Sequence, residues 1–151
     1  QLTEHLHEPL RATRIVWSRL KANGSHLGRV DWSLVRFGAR FVDSLNEPAV
    51  RRRPRYDRDV EEVYLKVVEV LNGLPFGVET HHALRDPLWS HTAAVITRER
   101  RASDGSKRTE RAARVHVTSG ANPLRLHYWQ CFDGGYEFSN VTCDHDRAII
   151  Y

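Results

Sequence analysis

The chain has 151 residues, of which 40% are hydrophobic and 28% are charged, and its formal net charge is +4 at pH 7. This composition is typical of a single globular domain, and no apolar run approaches the roughly 20 residues that span a bilayer. The 4 Trp, 5 Tyr and 5 Phe provide enough anchors for a packed core, which excludes a disordered chain.

The basic residues are unevenly divided, with 20 Arg against 3 Lys, and the chain contains no Met. The absence of Met predicts that Gln1 is a processed terminus and that a targeting segment has been removed. Arginine makes planar, bidentate contacts with phosphate and carboxylate. An isoelectric point near 9.4 is typical of proteins that bind nucleic acid, acidic lipid or acidic protein.

The first half of the chain shows the apolar spacing of helices in three segments. Pro9 suits the first turn of the first helix, which ends at Asn23-Gly24. Asp31 is a candidate N-cap for the second helix, whose apolar stripe consists of Leu34, Val35, Phe41, Val42 and Leu45. The third helix ends at Asn72-Gly73 and has the clearest period, over Val60, Val63, Tyr64, Val67, Val68 and Leu71.

After Pro75 the pattern changes to that of β-strands separated by turn residues. The predicted strands are Val78–Leu84, Ser90–Arg101, Lys107–Thr118, Leu124–Phe132, Tyr136–Cys143 and Ala148–Tyr151.

Asp104-Gly105 gives the clearest hairpin signal in the chain. With these residues as a two-residue loop, Ile96 faces Ala113, and one apolar face results. The same register places Glu99 opposite Glu110 and Arg98 opposite Arg111, and opposed like charges are unfavourable. We therefore expect a bulged tip or a bound partner, the alternative being two solvated pairs of like charge.

Three N-terminal helices followed by an antiparallel meander of four to six strands predict an α+β fold. We expect a single domain over residues 1–151, in which a helical part (1–75) packs on one face of the sheet (76–151). This order of elements resembles that of cystatin-like and NTF2-like rolls and of the small microbial ribonucleases.

The two cysteines, Cys131 and Cys143, bear on the compartment. Two N-glycosylation sequons begin at Asn23 and Asn140, and with a processed terminus they suggest a secreted glycoprotein binding domain with one disulfide. If Gly134-Gly135 is the hairpin loop, however, the cysteines lie about 17 Å apart along the strands. A disulfide requires Cα atoms within about 7 Å, so we expect reduced thiols and keep the secreted domain as a second alternative.

The densest basic feature is the segment from Arg51 to Arg58, called the arginine-rich segment below. We expect Pro54 to keep it extended and to leave its guanidinium groups free for phosphates or for an acidic protein surface. Truncating these side chains should then leave stability nearly unchanged, and a solvated loop is the alternative. The candidate binding residues are Arg51, Arg52, Arg53, Arg55, Tyr56 and Arg58.

Motifs for metal binding, cofactor binding and nucleophilic catalysis are missing from the sequence. Despite 9 His, there is no Cys-x-x-Cys, His-Glu-x-x-His, Gly-x-Ser-x-Gly or phosphate-binding glycine loop. The sequence therefore predicts neither a metal site nor a cofactor.

One stretch carries an enzyme-like pattern, namely residues 115–120 followed by Arg125 and by Thr142-Cys143-Asp144-His145. It resembles the C-terminal part of barnase-type microbial ribonucleases. The resemblance implies that Arg125 stabilises the phosphorane and that His145 protonates the leaving oxygen. Glu110 is the nearest candidate for the general base, because the matching position holds Ala112. An endoribonuclease acting on single-stranded RNA is thus the alternative function.

The leading prediction is a non-catalytic accessory subunit that docks into a larger protein or ribonucleoprotein assembly. The arginine-rich segment and the aromatic-rich late strands would form the contacts. A processed terminus, a basic charge and reduced cysteines together favour a mitochondrial setting, such as a ribosome or a respiratory complex, over a secreted one.

Overall fold

A computed structural model of the chain describes residues 2–5, 7–73, 81–83, 96–143 and 149, with 81–83 described by their backbone. The elements are, in chain order, α1 (Pro9–Ala22), β1 (Val35–Phe37), α2 (Phe41–Leu45), α3 (Pro48–Arg51), α4 (Tyr56–Asn72), β2 (His81–Ala83), β3 (Thr97–Arg101), β4 (Lys107–His116), β5 (Arg125–Gln130) and β6 (Tyr136–Thr142). Short 3-10 helices cover Leu2–His5 and Trp32–Leu34. The predicted α+β fold, with N-terminal helices and C-terminal strands, is confirmed.

The strands form one mixed sheet in the order β1-β6-β5-β4-β2, and β3 also pairs with β4. Strands β4, β5 and β6 are antiparallel neighbours, as predicted, whereas β1 pairs with β6 in parallel. Helices α1, α2 and α4 lie against one face of this sheet, called the inner face. The opposite face, called the outer face, carries most of the polar residues discussed below.

The longest helix, α4, follows the predicted apolar period. Val63 and Val67 are fully buried in the core between helices and sheet, while Leu71 keeps partial exposure near the end of the helix. Gly73 ends the helix in the left-handed conformation (φ 60°), which glycine adopts without steric cost.

The predicted second helix is wrong over its first half. Val35–Phe37 is strand β1, and only Phe41–Leu45 is helical. Asp31 is an N-cap as expected, but of a 3-10 helix, where its carboxylate accepts a hydrogen bond from the amide of Ser33 (3.0 Å). β-Branched and aromatic residues favour a strand when a sheet edge is available for pairing, and here β6 supplies that edge.

The inner core is built around aromatic rings from four elements, β1, α2, α4 and β6. The ring centroids of Phe37 and Phe41 are 4.9 Å apart, those of Phe37 and Phe138 are 5.3 Å apart, and Tyr64 of α4 lies 6.2 Å from Phe41. Each such pair contributes about 0.5–1.5 kcal/mol beyond its buried area. These contacts attach β1 and α2 to β6 and α4.

The β3–β4 hairpin has a register one residue away from the predicted one. Arg98 lies opposite Glu110, and Ala102 and Ser106 close a three-residue loop in which Gly105 has a φ of +83°. The expected bulged tip is thus present, and the shift replaces pairs of like charge by a pair of opposite charge. Because a one-residue slip reverses the faces, Ile96 packs on the outer face beside Ala112 rather than facing Ala113.

The β5–β6 hairpin also turns differently from the prediction. Its loop lies between Cys131 and Gly135, whose backbone groups are hydrogen-bonded (3.0 Å), and Ser139 is an extra residue in β6. Cys131 lies at the loop and Cys143 beyond the other end of β6, and both are free thiols, as expected. Burial raises the pKa of the Cys131 thiol to about 11.

Several sequence predictions lie wholly or partly outside the described residues. The strands predicted at 78–84 and 90–101 are described only over 81–83 and 96–101, and the one predicted at 148–151 only at Ile149. Of the two sequon asparagines, Asn23 is exposed, whereas Asn140 is fully buried in β6. In the folded domain, Asn140 is therefore not accessible for glycosylation.

Candidate binding site

The arginine-rich segment is not extended. Helix α3 ends at Arg51, the next four residues form a turn, and α4 begins at Tyr56. Pro54 lies within this turn, between two helices, where its missing N–H and fixed φ are tolerated. The segment is therefore a compact helix–helix junction rather than a flexible arm.

Arg53 points into the protein and makes three polar contacts there. Its Nε donates to the carboxylate of Asp59 (2.7 Å), Nη1 donates to the carbonyl oxygen of Asn122 (2.9 Å), and Nη2 lies 3.3 Å from the hydroxyl of Thr118. Its side chain is only 17% exposed. Arg53 thus connects the start of α4 to the β4–β5 turn, and the expectation that it is free to contact a partner is wrong.

Tyr56 is likewise part of the domain's own packing. Its hydroxyl donates to the carbonyl oxygen of Leu45 (3.0 Å), and its ring packs against the inner core. The guanidinium carbon of Arg51 lies 4.8 Å from the centroid of the ring. This cation–π contact covers one face of the ring, so Tyr56 supports the junction rather than offering a free stacking platform.

The remaining arginines of the segment, Arg51, Arg52, Arg55 and Arg58, are exposed, and together they form what we call the arginine surface. Among the described residues, the side chains of Arg52, Arg55 and Arg58 form no ion pair or hydrogen bond. A shallow cleft of about 500 Å³ lies beside them, between α4 and the β4–β5 turn. It is lined by Arg53, Pro54, Arg55, Arg58, Asp59, Glu62, Val117, Thr118 and Ser119.

The position of these charges on α4 is electrostatically unusual. Arg55 is the N-cap residue of the helix and Arg58 lies in its first turn. The N-terminus of a helix carries partial positive charge and disfavours cations by about 0.3–1 kcal/mol each. Asp57 and Asp59 offset this effect in part, but Asp59 is already engaged by Arg53. The arginine surface is therefore suited to receive negative charge from outside the domain.

The residues implied by the resemblance to ribonucleases do not come together in the described structure. Arg125 pairs with His116, which is six residues from Glu110 along β4, so Glu110 and Arg125 lie about 20 Å apart. His145 lies outside the described residues. A general base and a phosphorane-stabilising arginine must contact the same phosphate, and this separation does not allow it.

Glu110 instead belongs to a buried ionic network on the outer face, which sequence reasoning missed. Its side chain is fully buried, and its oxygens accept hydrogen bonds from Nε of Arg98 (2.9 Å) and from the amide of Phe132 (3.1 Å). Arg98 also donates to Glu137 (2.9 Å) and lies over the ring of Trp129, 4.4 Å from its centroid. The opposed like charges of the predicted register were the sequence signal for this network, because moving β3 by one residue brings Arg98 to Glu110.

A second polar group on the outer face was also missed, because its members come from separate strands. His127 of β5 is buried between Arg114 of β4 and Asn140 of β6. Burial, together with the positive charges of Arg114 and Arg125, lowers the pKa of His127 to about 4. The amide nitrogen of Asn140 lies 3.5 Å from Nδ1 of His127, a contact that suits a neutral ring accepting at that nitrogen.

Comparison with protein-family models, with curated proteins and with solved structures gives no match to this chain. Within the part of the chain that the structure describes, no cluster of His, Cys, Asp and Glu could hold a metal ion. No helix there is both long enough and apolar enough to cross a membrane.

Proposed function

We propose that this chain is a non-catalytic accessory subunit that docks on an acidic surface of a larger protein or ribonucleoprotein assembly through the arginine surface. The observation that supports this function is that Arg52, Arg55 and Arg58 are exposed, have no acidic partner among the described residues, and lie beside the positive end of α4. Carboxylates or phosphates of a partner would satisfy both the guanidinium groups and the helix terminus.

The rigidity of the junction supports docking rather than loose electrostatic association. Arg53 connects the segment to the β4–β5 turn, and the Tyr56 hydroxyl connects it to the end of α2. A backbone that is already ordered loses less conformational entropy on binding than a flexible arm does. The exposed arginines are thus presented from a fixed frame, which favours a partner surface of defined shape.

The direct test is the native size of the protein in an extract of the cells that express it. The wild type should elute with a large assembly at low salt and leave it as the salt concentration rises, because screening weakens contacts between exposed charges. A variant with Arg52→Gln, Arg55→Gln and Arg58→Gln should elute as a free 17.5 kDa chain. Arg11→Gln is a matched control, because it removes an exposed arginine from α1. Elution of the wild type as a free chain at low salt would contradict the proposal.

The alternative enzymatic function requires its own measurement. Labelled single-stranded RNA incubated with the purified chain across pH 5–8 should remain intact if the chain is a docking subunit. Cleavage that disappears in a His145→Ala variant would favour the ribonuclease, and the triple arginine variant would then weaken RNA binding and its salt dependence.

A further inference from the structure

The outer face carries a group of polar side chains across β4, β5 and β6, at the opposite end from the Arg98 network. Cross-strand pairing places them in two adjacent rows, Arg114–His127–Asn140 and His116–Arg125–Thr142. Side chains that share a face in neighbouring rows are close enough for long residues to reach one another. We call the three basic members that act on one another, Arg114, Arg125 and His127, the basic cluster.

The basic cluster concentrates positive charge, and no acid among the described residues is paired with it. Burial, followed by repulsion from Arg125, lowers the pKa of Arg114, and both arginines act on His127. Among the described residues, the acids of the outer face nearest along the strands are Glu110 and Glu137, and Arg98 already binds both. Like charges held together in a poorly hydrated place destabilise the fold unless an anion compensates them.

Arg125 shows that the hydrogen-bonding capacity of the cluster is not exhausted. The residue is only 6% exposed, and its Nη1 donates to the carbonyl oxygen of Pro123 (3.3 Å). Its Nε is buried and has no hydrogen-bond partner in the part of the chain that the structure describes. A buried donor without an acceptor destabilises the fold, and more so when the group is charged. No described residue supplies an acceptor to this nitrogen, and a bound anion would do so.

We infer that the basic cluster is a binding site for a small anion of the phosphate class, either free phosphate or the terminal phosphate of a small ester. A tetrahedral dianion matches two guanidinium groups in charge and offers several acceptor oxygens to their planar donors. Arg114 keeps partial exposure, so one guanidinium group of the cluster is in contact with solvent. This site is separate from the arginine surface, which lies at the α3–α4 junction.

The test is calorimetric titration of the full chain with sodium phosphate at pH 7.5, with ionic strength held constant by NaCl. The wild type should bind phosphate and should melt at a higher temperature as phosphate is added, since a ligand of the folded state stabilises it by mass action. Replacing Arg114 by Gln should weaken phosphate binding about tenfold or more, as expected for loss of a charge-assisted hydrogen bond. Arg11→Gln, which removes an exposed arginine of α1 outside both the basic cluster and the arginine surface, should bind phosphate like the wild type.

A second readout separates a ligand site from a merely structural cluster. In phosphate-free buffer, Arg114→Gln should melt at a higher temperature than the wild type, because it removes the repulsion between Arg114 and Arg125. Arg114→Lys keeps the charge and should keep the lower melting temperature, yet it should bind phosphate more weakly because it lacks the planar fork. If Arg125→Gln does not fold, the two Arg114 variants still decide the question.

Several results would overturn the inference. Phosphate has no site here if it raises the melting temperature no more than NaCl of equal ionic strength does. The same conclusion follows if Arg114→Gln binds phosphate as tightly as the wild type. A melting temperature of Arg114→Gln below that of the wild type without phosphate would show that Arg114 is a structural residue. Tighter binding of succinate than of phosphate would show that the ligand class is wrong. A phosphomonoester, tested in parallel, distinguishes a free anion from an esterified one as the preferred ligand.

Discussion

Glu110 and His127 are both almost inaccessible, but their surroundings differ in charge. Glu110 has Arg98 as its counter-ion, whereas His127 has two positive neighbours. Glu110 therefore has a compensating cation beside it, whereas His127 is held neutral by burial and by repulsion.

The neutral state of His127 predicts a pH dependence of stability. The groups facing it are Arg114 from β4, Arg125 from its own strand and Asn140 from β6. Its pKa is about 4 in the folded protein against 6.5 for the ordinary side chain, so between these values the unfolded chain binds a proton that the folded chain does not. Stability should therefore fall as the pH drops from 6.5 to 4, by about 3 kcal/mol from this group.

Urea denaturation at a series of pH values measures the slope of the free energy of unfolding against pH. His127→Gln cannot titrate and should lose most of the slope in that window, while His26→Gln, which removes an exposed histidine, should retain it. An unchanged slope in His127→Gln would show that His127 is protonated equally in both states.

Removing the cation from the Arg98 network should be strongly destabilising. Arg98→Ala leaves Glu110 buried with only the more distant guanidinium of Arg100, 3.6 Å away, and we expect a loss of about 3–5 kcal/mol in the free energy of unfolding. The same hairpin offers a control, because Lys107 and Glu99 form an exposed pair (3.6 Å). Lys107→Ala should cost at most about 1 kcal/mol.

Chemical denaturation of the two variants gives the comparison. A double variant, Arg98→Ala with Glu110→Gln, should recover part of the loss, because it no longer buries an unpaired charge. Equal losses for Arg98→Ala and Lys107→Ala would contradict the network.

At the scale of elements, the short parallel strand β1 depends on one close approach to the β5–β6 loop. A Cβ atom at Gly135 would overlap the backbone oxygen of Leu34, immediately before β1. On the same side, Arg36 of β1 forms an ion pair with Asp133 of that loop. Gly135 is therefore the residue that allows β1 to lie beside the sheet.

Two neighbouring glycines test this point. Gly135→Ala should displace β1 and weaken the packing of Phe37 against Phe138, with amide chemical-shift changes that reach from the loop to β1. Gly134→Ala meets nothing within 4 Å but is forced into a positive φ of 84°, so it should cost about 1–2 kcal/mol and change only the loop. Equally local shift changes in both variants would show that the close approach does not hold β1.

At the scale of the whole molecule, Arg53 joins the helical layer to the end of the sheet. Its contacts run from Asp59 in α4 to Asn122 and Thr118 at the β4–β5 turn. Arg53→Ala would leave Asp59 mostly buried and without its counter-ion, so we expect a loss of about 2–3 kcal/mol in stability. This expected loss differs from the expectation drawn from the sequence, that truncating the segment leaves stability nearly unchanged.

Arg55→Ala is the matched control, because it removes an exposed arginine of the same junction. Its melting temperature should stay within a degree or two of the wild type, since surface substitutions of this kind change stability by about 0.5 kcal/mol or less. If docking depends on the arginine surface, Arg55→Ala should weaken docking without loss of stability. Equal melting temperatures for the two variants would contradict the anchoring role of Arg53.

The features that the sequence determined by itself are those encoded locally. The period of α4, with its apolar positions from Val60 to Leu71 and its glycine C-cap, is complete within one segment, and the helix begins and ends close to where the pattern indicates. The turn residues Asp104-Gly105 and Gly134-Gly135 likewise located the hairpins. Because these signals need no distant partner, the α+β order of helices followed by strands was readable in advance.

Only the tertiary structure decided the pairings between residues that are distant in the sequence. The sequence pattern of β1 predicts part of a helix, and only pairing with β6 makes this segment a strand. The register of β3 depends on a loop of three residues and on the pairing of Arg98 with Glu110. The direction of Arg53 depends on acceptors more than 60 residues away. The basic cluster forms because β4 and β5 are neighbours in the sheet. A sequence indicates which side chains share one face of a strand, but it does not indicate which other strand lies beside it.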